Sequence, residues 1–412
     1  MESVLWIKIM EFITEAAGKN LHLEHLEDEI LNFGIAGGRS AINFLRSLRD
    51  MFAGKSGSSM NVTVKWDGAP AIFAGPHPET GKFFVATKSL FRKRNAEGAV
   101  YYTNADINKD KSGELASKLR TSLQYLKKLG MTQILQGDLM FTNDVSTMDI
   151  DGESHYTFKP NTILYAVPVN SKIGKQIGKA KMGIVWHTTY SGSTIENLKA
   201  TFGARIPGRS GAVWQDDATY KDVSGKATFT AAETVNITDL LSQAGRQFHA
   251  IDSGSFNKFL RWQDDLGASA RGAGFKSYLN TYTRAGKPLP ASGKVVQMYF
   301  KHFNDWWIKN KGDSDLQKKN LRSHLAVIRT STTALKNVVD FMSYLIKAKL
   351  MLVKKMNTAT GLARTFVRTP NGLKCVAPEG YVAIDHTGGA VKIVDKMEFS
   401  FNNFTVAKSW DK

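Results

Sequence analysis

The chain has 412 residues, 42% hydrophobic and 10% aromatic, with 35 Gly, 10 Pro and a single cysteine, Cys375. Such a chain can bury a sizeable core, and its composition excludes collagen-like, low-complexity and wholly disordered classes, an internal disulfide framework and a cysteine-based zinc site. Charge is the strongest global number: 55 Lys and Arg against 37 Asp and Glu give +18, and residues 270–368 alone hold 19 basic and 4 acidic side chains. A local surplus of that size predicts a polyanionic partner, nucleic acid first, with a lysine-rich solvated helix face as the plainer reading.

In chain order, residues 1–60 read as helical. Leu5, Ile9, Phe12 and Ile13 fall on one stripe, and Ile42, Leu45, Leu48 and Phe52 on another. Glu2, Glu11 and Glu15 interrupt the apolar N-terminus, so no signal peptide is expected, and no run reaches the ~18 apolar residues of a membrane span. The expectation is a cytoplasmic protein without membrane contact. Gly54-Lys55-Ser56 does not make a phosphate-cradling loop, because Arg49 stands where that loop needs its first glycine. His22 and His25 have metal-like spacing but no further ligands nearby.

From Asn61 the period changes to two. Val62, Val64 and Trp66 alternate with polar residues up to the turn signal Asp67-Gly68. Strands are expected at 71–74 and 82–88, a helix at 113–129, a bent strand at 133–141, and strands at 163–169 and 183–190. There is no βαβ rhythm, so this region predicts an antiparallel-sheet α+β unit. Beyond about Thr201 come a Gly/Ser/Thr/Asp-rich stretch and then helices at 238–248, 256–266, 295–309 and 316–356, the last interrupted by Arg-Thr-Ser-Thr-Thr at 329–333. Strands return at 380–384 and 390–394.

The element that carries chemistry is Lys65-Trp66-Asp67-Gly68. Alone it is an ordinary hairpin. Four segments follow it in order: Gln136-Gly137-Asp138-Leu139, residues 183–190, Glu379-Gly380-Tyr381-Val382 and Val391-Lys392-Ile393-Val394. With the Lys-x-Asp-Gly turn they resemble the ordered motifs of the covalent nucleotidyltransferase superfamily, which comprises ATP-dependent DNA ligases, RNA ligases and mRNA-capping guanylyltransferases. The resemblance covers residues 61–200 and 376–404. The stretch from Lys392 through Phe399-Ser400 is most similar to phage nick-joining RNA ligases.

The resemblance implies an antiparallel-sheet nucleotidyltransferase (ATP-grasp-like adenylation) domain that uses ATP and Mg²⁺. It makes Lys65 the nucleophile, since a neutral amine can attack the α-phosphorus of a nucleoside triphosphate. Asp67 and Gly68 shape the turn that aims it and, by the same resemblance, count among the cofactor-binding residues. Asp138 stands where the family has glutamate, for the ribose or the metal, and Glu379 is the stronger Mg²⁺ ligand. Lys392 would neutralise the α-phosphate in the transition state. Lys88 and Trp186 fall where the family keeps a basic residue and a base-stacking ring. Two positions depart from the pattern: Pro70 replaces the usual Arg or Asn, and Val394 replaces a second lysine, with Lys396 as the substitute.

The gap of 189 positions from Tyr190 to Glu379 exceeds what such a sheet needs as a connection. The expected organisation is an N-terminal helical segment at 1–60 packing on the catalytic domain, a nucleotidyltransferase domain from 61–200 and 370–412, and an inserted basic helical domain at 201–369. No C-terminal OB-fold is expected. Lys318, Lys319, Arg322, Lys347, Lys349, Lys354 and Lys355 are the candidate nucleic-acid contacts. Tyr299, Phe300, Phe303, Trp306 and Trp307 read mostly as core. The function expected is that of an ATP-dependent polynucleotide ligase, monomeric and phage-like, acting through lysyl-AMP. A capping-type guanylyltransferase and a non-catalytic nucleic-acid-binding protein with a decayed pocket are the alternatives.

Overall fold

Among the described residues, alternation in the strand segments and 3.6-residue periodicity in the helical ones give three antiparallel-rich sheets and a set of long helices. The structure, a computed structural model, describes residues 25–54, 61–91, 99–218, 228–357, 364–369, 372–375, 380–384 and 390–397. The stripe at Leu5–Ile13, His22, Glu379 and Phe399-Ser400 lie outside the described residues. No helix among those described is long and apolar enough to cross a membrane.

The first sheet has three strands: β1 (Asn61–Lys65), β14 (Gly380–Ile384) and β15 (Ala390–Ile393), with β14 in the middle. The second runs in the order β10 (Lys199–Phe202), β9 (Met182–Ser191), β5 (Ile134–Phe141), β2 (Ala71–Pro76), β3 (Phe83–Ala86) and β4 (Val100–Tyr101), and β11 (Val213–Asp217) also pairs with β9. The β11 pairing is parallel, an exception to the antiparallel expectation. The third is β13 (Gly372–Cys375), β12 (Arg364–Thr369), β8 (Leu164–Pro168), β7 (Glu153–Phe158) and β6 (Ser146–Ile150). Asp151 and Gly152 join β6 to β7 with φ of 54° and 80°, the positive values that a tight two-residue hairpin requires.

Helix α1 (Glu29–Phe52) precedes the sheets, and α2 (Asn104–Asp110), α3 (Gly113–Leu126) and α4 (Lys172–Ile177) lie among the strands. The long connection holds α5 (Ala231–His249), α6 (Ser253–Asp265), α7 (Phe275–Arg284), α8 (Ser292–Lys311), α9 (Asp315–Thr330) and α10 (Thr332–Asn357). The 329–333 interruption is thus a junction at Ser331 between two helices. Leu119, Leu123 and Leu126 of α3 cover one face of the seven-stranded sheet, against Ile72, Val85, Leu135, Ile184 and Trp186. A separate core, with Phe158, Tyr165 and Val167 against Met140, Phe141 and Val185, joins that sheet to the five-stranded one.

Two expected boundaries move. Helix α1 packs on α5, α6 and α10, so the described part of the N-terminal segment, besides sharing a core with the three-stranded sheet, joins the helical unit. Its Leu45, Leu48 and Phe52 share one core with Leu241, Phe259, Tyr299, Leu335 and Leu345, and with Tyr381, Val391 and Ile393 of the three-stranded sheet. In addition, β10 and β11 belong to the second sheet and β12 pairs with β8, so the helical part runs from α5 to α10 and the strands return at Arg364. Tyr299, Phe303 and Trp307 are buried in this helical core, as their spacing predicts.

Candidate active site

Strand register decides which lysines share a face. Lys65 of β1 pairs with Gly380 of β14, while Thr63 pairs with Val382, which in turn pairs with Lys392 of β15. Partners opposite one another lie on the same face, and residues two apart in a strand share it. Lys65 and Lys392 therefore stand on one face of the three-stranded sheet, two residue steps and two strands apart. The opposite face, with Val62, Tyr381, Val391 and Ile393, is sealed against the helical core. Lys65 is half-buried and Lys392 is only 6% exposed.

The turn after Lys65 is held by Asp67. Its carboxylate accepts from Asn161 Nδ2 at 2.7 Å, from the Thr162 N–H and hydroxyl, both at 2.7 Å, and from the Ile163 N–H at 2.8 Å. The Asp67 N–H donates to the Tyr165 hydroxyl at 2.7 Å. Asp67 is buried and saturated, so its expected part in cofactor contact is corrected: it anchors the turn to the segment entering β8. Gly68 is required by proximity, because a Cβ there would lie 2.5 Å from the Asp138 Cβ. Backbone bonds from the Ala69 N–H to the Leu139 carbonyl (3.0 Å) and from the Leu139 N–H to the Pro70 carbonyl (3.1 Å) complete the attachment. Trp66 packs on Tyr165 at 5.2 Å between ring centres.

Asp138 consequently sits beside the Lys65 turn. A register shift between Gln136 and Gly137 leaves His187 as an extra residue on β9. The bulge brings His187 Nε2 to 3.8 Å from Asp138 Oδ1, while His187 Nδ1 bonds the Thr188 hydroxyl at 2.7 Å. The motif order points to Trp186 and leaves out His187, although alternation alone requires these neighbours to face opposite ways. Trp186 is the one turned inward: it is 0% exposed, and its Nε1–H donates to Gln215 Oε1 at 3.0 Å. It also explains Gly137, where a Cβ would come within 2.8 Å of the indole. The expected base-stacking role for Trp186 is therefore corrected to core packing. Lys88 is exposed at the first position of a short 3-10 turn after β3, at the end of the sheet where Ala71 pairs with Asp138.

Lys396 is corrected too. It is held by Asp28 at 2.8 and 3.0 Å, and that carboxylate is 3% exposed. Next to it Lys349 pairs with Glu27 at 2.6 Å, each side chain 1% exposed. Glu27 and Asp28 end the 3-10 turn Leu26–Asp28, preceded by His25, which bridges to the backbone of Lys392. Burial holds the His25 imidazole down to about 3, against Glu27, which raises it, and with help from Lys349, Lys396 and Lys392. Burial opposes ionisation of Glu27, yet the Lys349 ammonium dominates with the other cations and holds it down to about 2. Burial raises Asp28.

The candidate nucleic-acid contacts divide accordingly. Lys318, Lys319 and Arg322 are exposed on α9, and Lys347 and Lys354 on α10. Lys349 is a core ion pair and Lys355 is bound by Glu233 at 2.8 and 3.1 Å, so neither serves as a surface phosphate contact.

A family model described as a family of unknown function, DUF6267, matches residues 20–408. The chain belongs to DUF6267. The match spans both sheet-forming segments and the helices between them, so the helical unit is part of what defines this DUF6267 chain. No curated protein and no solved structure matches it. Among the described residues, no group of three or more His, Cys, Asp or Glu side chains is placed to hold a metal ion.

Proposed function

We propose that this protein is an ATP-dependent polynucleotide ligase working through a covalent AMP on Lys65. The observation that supports this most is the shared face of Lys65 and Lys392, with the Lys65 turn fixed against Asp138. That arrangement suits an amine nucleophile beside a cation that can balance charge on a pentavalent phosphorus. In the first step the neutral Lys65 Nζ attacks the α-phosphorus of ATP, a P–N bond forms, and pyrophosphate leaves with the P–O electron pair. A 5′-phosphate oxygen then displaces Lys65, and a 3′-hydroxyl displaces AMP to close the strand.

The protein's own groups have distinct parts. Asp67 holds the turn rigid, Gly68 allows its approach to Asp138, and Lys392 stabilises the charge that develops on phosphate. Asp138, partly exposed beside His187, is a hard oxygen donor of the kind that Mg²⁺ accepts along with water and phosphate ligands. Bound to the triphosphate, Mg²⁺ would neutralise its charge and ease departure of pyrophosphate. The exposed cations of α9 and α10 would hold the polynucleotide backbone.

The test is incubation with Mg²⁺ and α-labelled ATP or, separately, GTP, followed by a denaturing gel. An acid-labile label from ATP, absent in Lys65→Ala, is expected. Label from GTP alone would indicate a guanylyltransferase. No label from either removes the enzyme reading.

A further inference from the structure

Helix α1 is broken near its start: Phe33 has φ −126° and Gly34 φ 61°, values no helix contains. The break turns Phe33 outward, where it is 49% exposed. A lone exposed Phe is ordinary on a protein surface, but this one lines a cavity of about 440 Å³ between α1, α6 and α7. That volume lies in the range of small-molecule sites. From α6 the cavity receives Asn257, Arg261 and Asp264, spaced four and three residues apart and hence on one helix face. From α7 it receives Lys276, whose ammonium donates to Asn32 Oδ1 at 2.9 Å and is thereby held in place.

We propose that this cavity binds one unstacked nucleotide of a nucleic-acid strand. Phe33 offers a ring face for the base, Arg261 and Lys276 offer cations for the flanking phosphate, and Asn257 and Asp264 offer groups for the base edge. This combination of ring face and cations is how proteins take single strands without pairing them. The pocket also lies near the strand that carries Lys392. Lys276 is within electrostatic reach of Asp28, and Asp28 holds Lys396, three residues beyond β15. This role for the pocket rests on the nucleic-acid partner of the proposed function but not on its chemistry.

The experiment is anisotropy titration of a fluorescein-labelled single-stranded oligonucleotide over a salt series, with a fully paired blunt duplex as control. Wild type, Phe33→Ala, Phe33→Trp and Arg261→Ala are compared, and each is assayed in parallel for label from ATP. Phe33→Ala should weaken single-strand binding about 5- to 150-fold, the 1–3 kcal/mol of one base–aromatic stack, without changing the salt slope. Phe33→Trp should keep it. Arg261→Ala should flatten the slope by about 0.7. The paired duplex should be indifferent to Phe33. Unchanged binding in Phe33→Ala, a loss that Trp does not restore, or no single-strand binding by wild type would each overturn the proposal. Displacement of the oligonucleotide from wild type by polyglutamate, with equal dependence on Phe33, would instead mark the cavity as an acidic-peptide site. If Phe33-dependent binding persists while no variant takes label from ATP, the ligase reading falls and the pocket stands. If label is taken but binding does not depend on Phe33, the pocket falls and the ligase reading stands.

Discussion

Lys349→Met removes an ammonium that the Glu27 carboxylate holds at 2.6 Å, in a place where both side chains are 1% exposed. Methionine keeps most of the stem volume, so the packing change is small. What remains is a buried carboxylate whose other oxygen, Oε1, already has no hydrogen-bond partner among the described residues. Leaving one half of a buried pair uncompensated costs about 3–5 kcal/mol, while replacing both halves by apolar groups of similar size is close to neutral. For a cooperative unit of 150–250 residues that loss lowers Tm by about 6–20 °C. The assay is thermal unfolding of wild type, Lys349→Met, Glu27→Leu and the double variant, with nucleic-acid affinity measured over a salt series below the lowest Tm. The single variant should be strongly destabilised, the double variant should recover most of the loss, and the salt slope should stay as in wild type. A loss under about 1 kcal/mol with a salt slope lower by one would refute the reasoning and return Lys349 to the phosphate-binding surface.

Neutralising Lys318, Lys319 and Arg322 together should leave AMP loading on Lys65 unchanged and lower the salt slope for nicked duplex by roughly one per lost phosphate contact; an unchanged slope removes α9 from the nucleic-acid surface. Gly68→Ala puts a Cβ 2.5 Å from that of Asp138, so the turn must move; label from ATP should fall about 100-fold, the cost of misplacing a reacting group by about 1 Å, and near-wild-type labelling would show that the turn does not aim Lys65. His25, near 6.5 when unfolded, is held down to about 3 by burial, so the unfolded chain binds the extra proton and stability should fall as pH drops from about 6.5 toward 3. Glu27, held to about 2 chiefly by Lys349, adds to the loss below about 4.5, whereas the raised Asp28 acts in the opposite sense. Comparison of Tm at pH 7 and 5 in His25→Gln and wild type isolates the histidine: the variant should lose less, and equal losses would assign the pH dependence elsewhere.

Much of the framework is legible along the chain because it is local. The 3.6-residue stripe through Ile42, Leu45 and Leu48 lies in α1, the alternation of Val62 and Val64 lies in β1, and the Arg-Thr-Ser-Thr-Thr interruption is the α9–α10 junction. The β6–β7 hairpin carries a local signal too, Asp151-Gly152 between alternating segments, although neither strand is among those expected from the sequence. Helix α7 is likewise absent from the expected elements because it lacks a long stripe: only Phe275, Tyr278 and Leu279 of its ten residues are buried. The parallel partner of β9 is invisible in the sequence, since Val213–Asp217 pairs with a strand some thirty residues earlier and nothing in its own pattern names that partner.

Most of the elements, the excess positive charge and the order of the Lys-x-Asp-Gly, Gly-Asp and lysine-bearing strands can be read without a structure, because propensity, periodicity and net charge are properties of neighbouring residues. Which face each residue takes and which charges meet became visible with the three-dimensional packing. Trp186 and His187 are adjacent in sequence and by alternation face opposite ways, but only the packing shows that Trp186 takes the core and that His187, at a bulge opposite Gln136-Gly137, stands beside Asp138. Lys349 and Lys318 carry the same charge on neighbouring helices, yet one is sealed against Glu27, 322 positions away, while the other stands in water. Burial and ion pairing depend on contacts between segments distant along the chain, and it is packing, not composition, that assigns a lysine to the core, to a candidate site or to the surface.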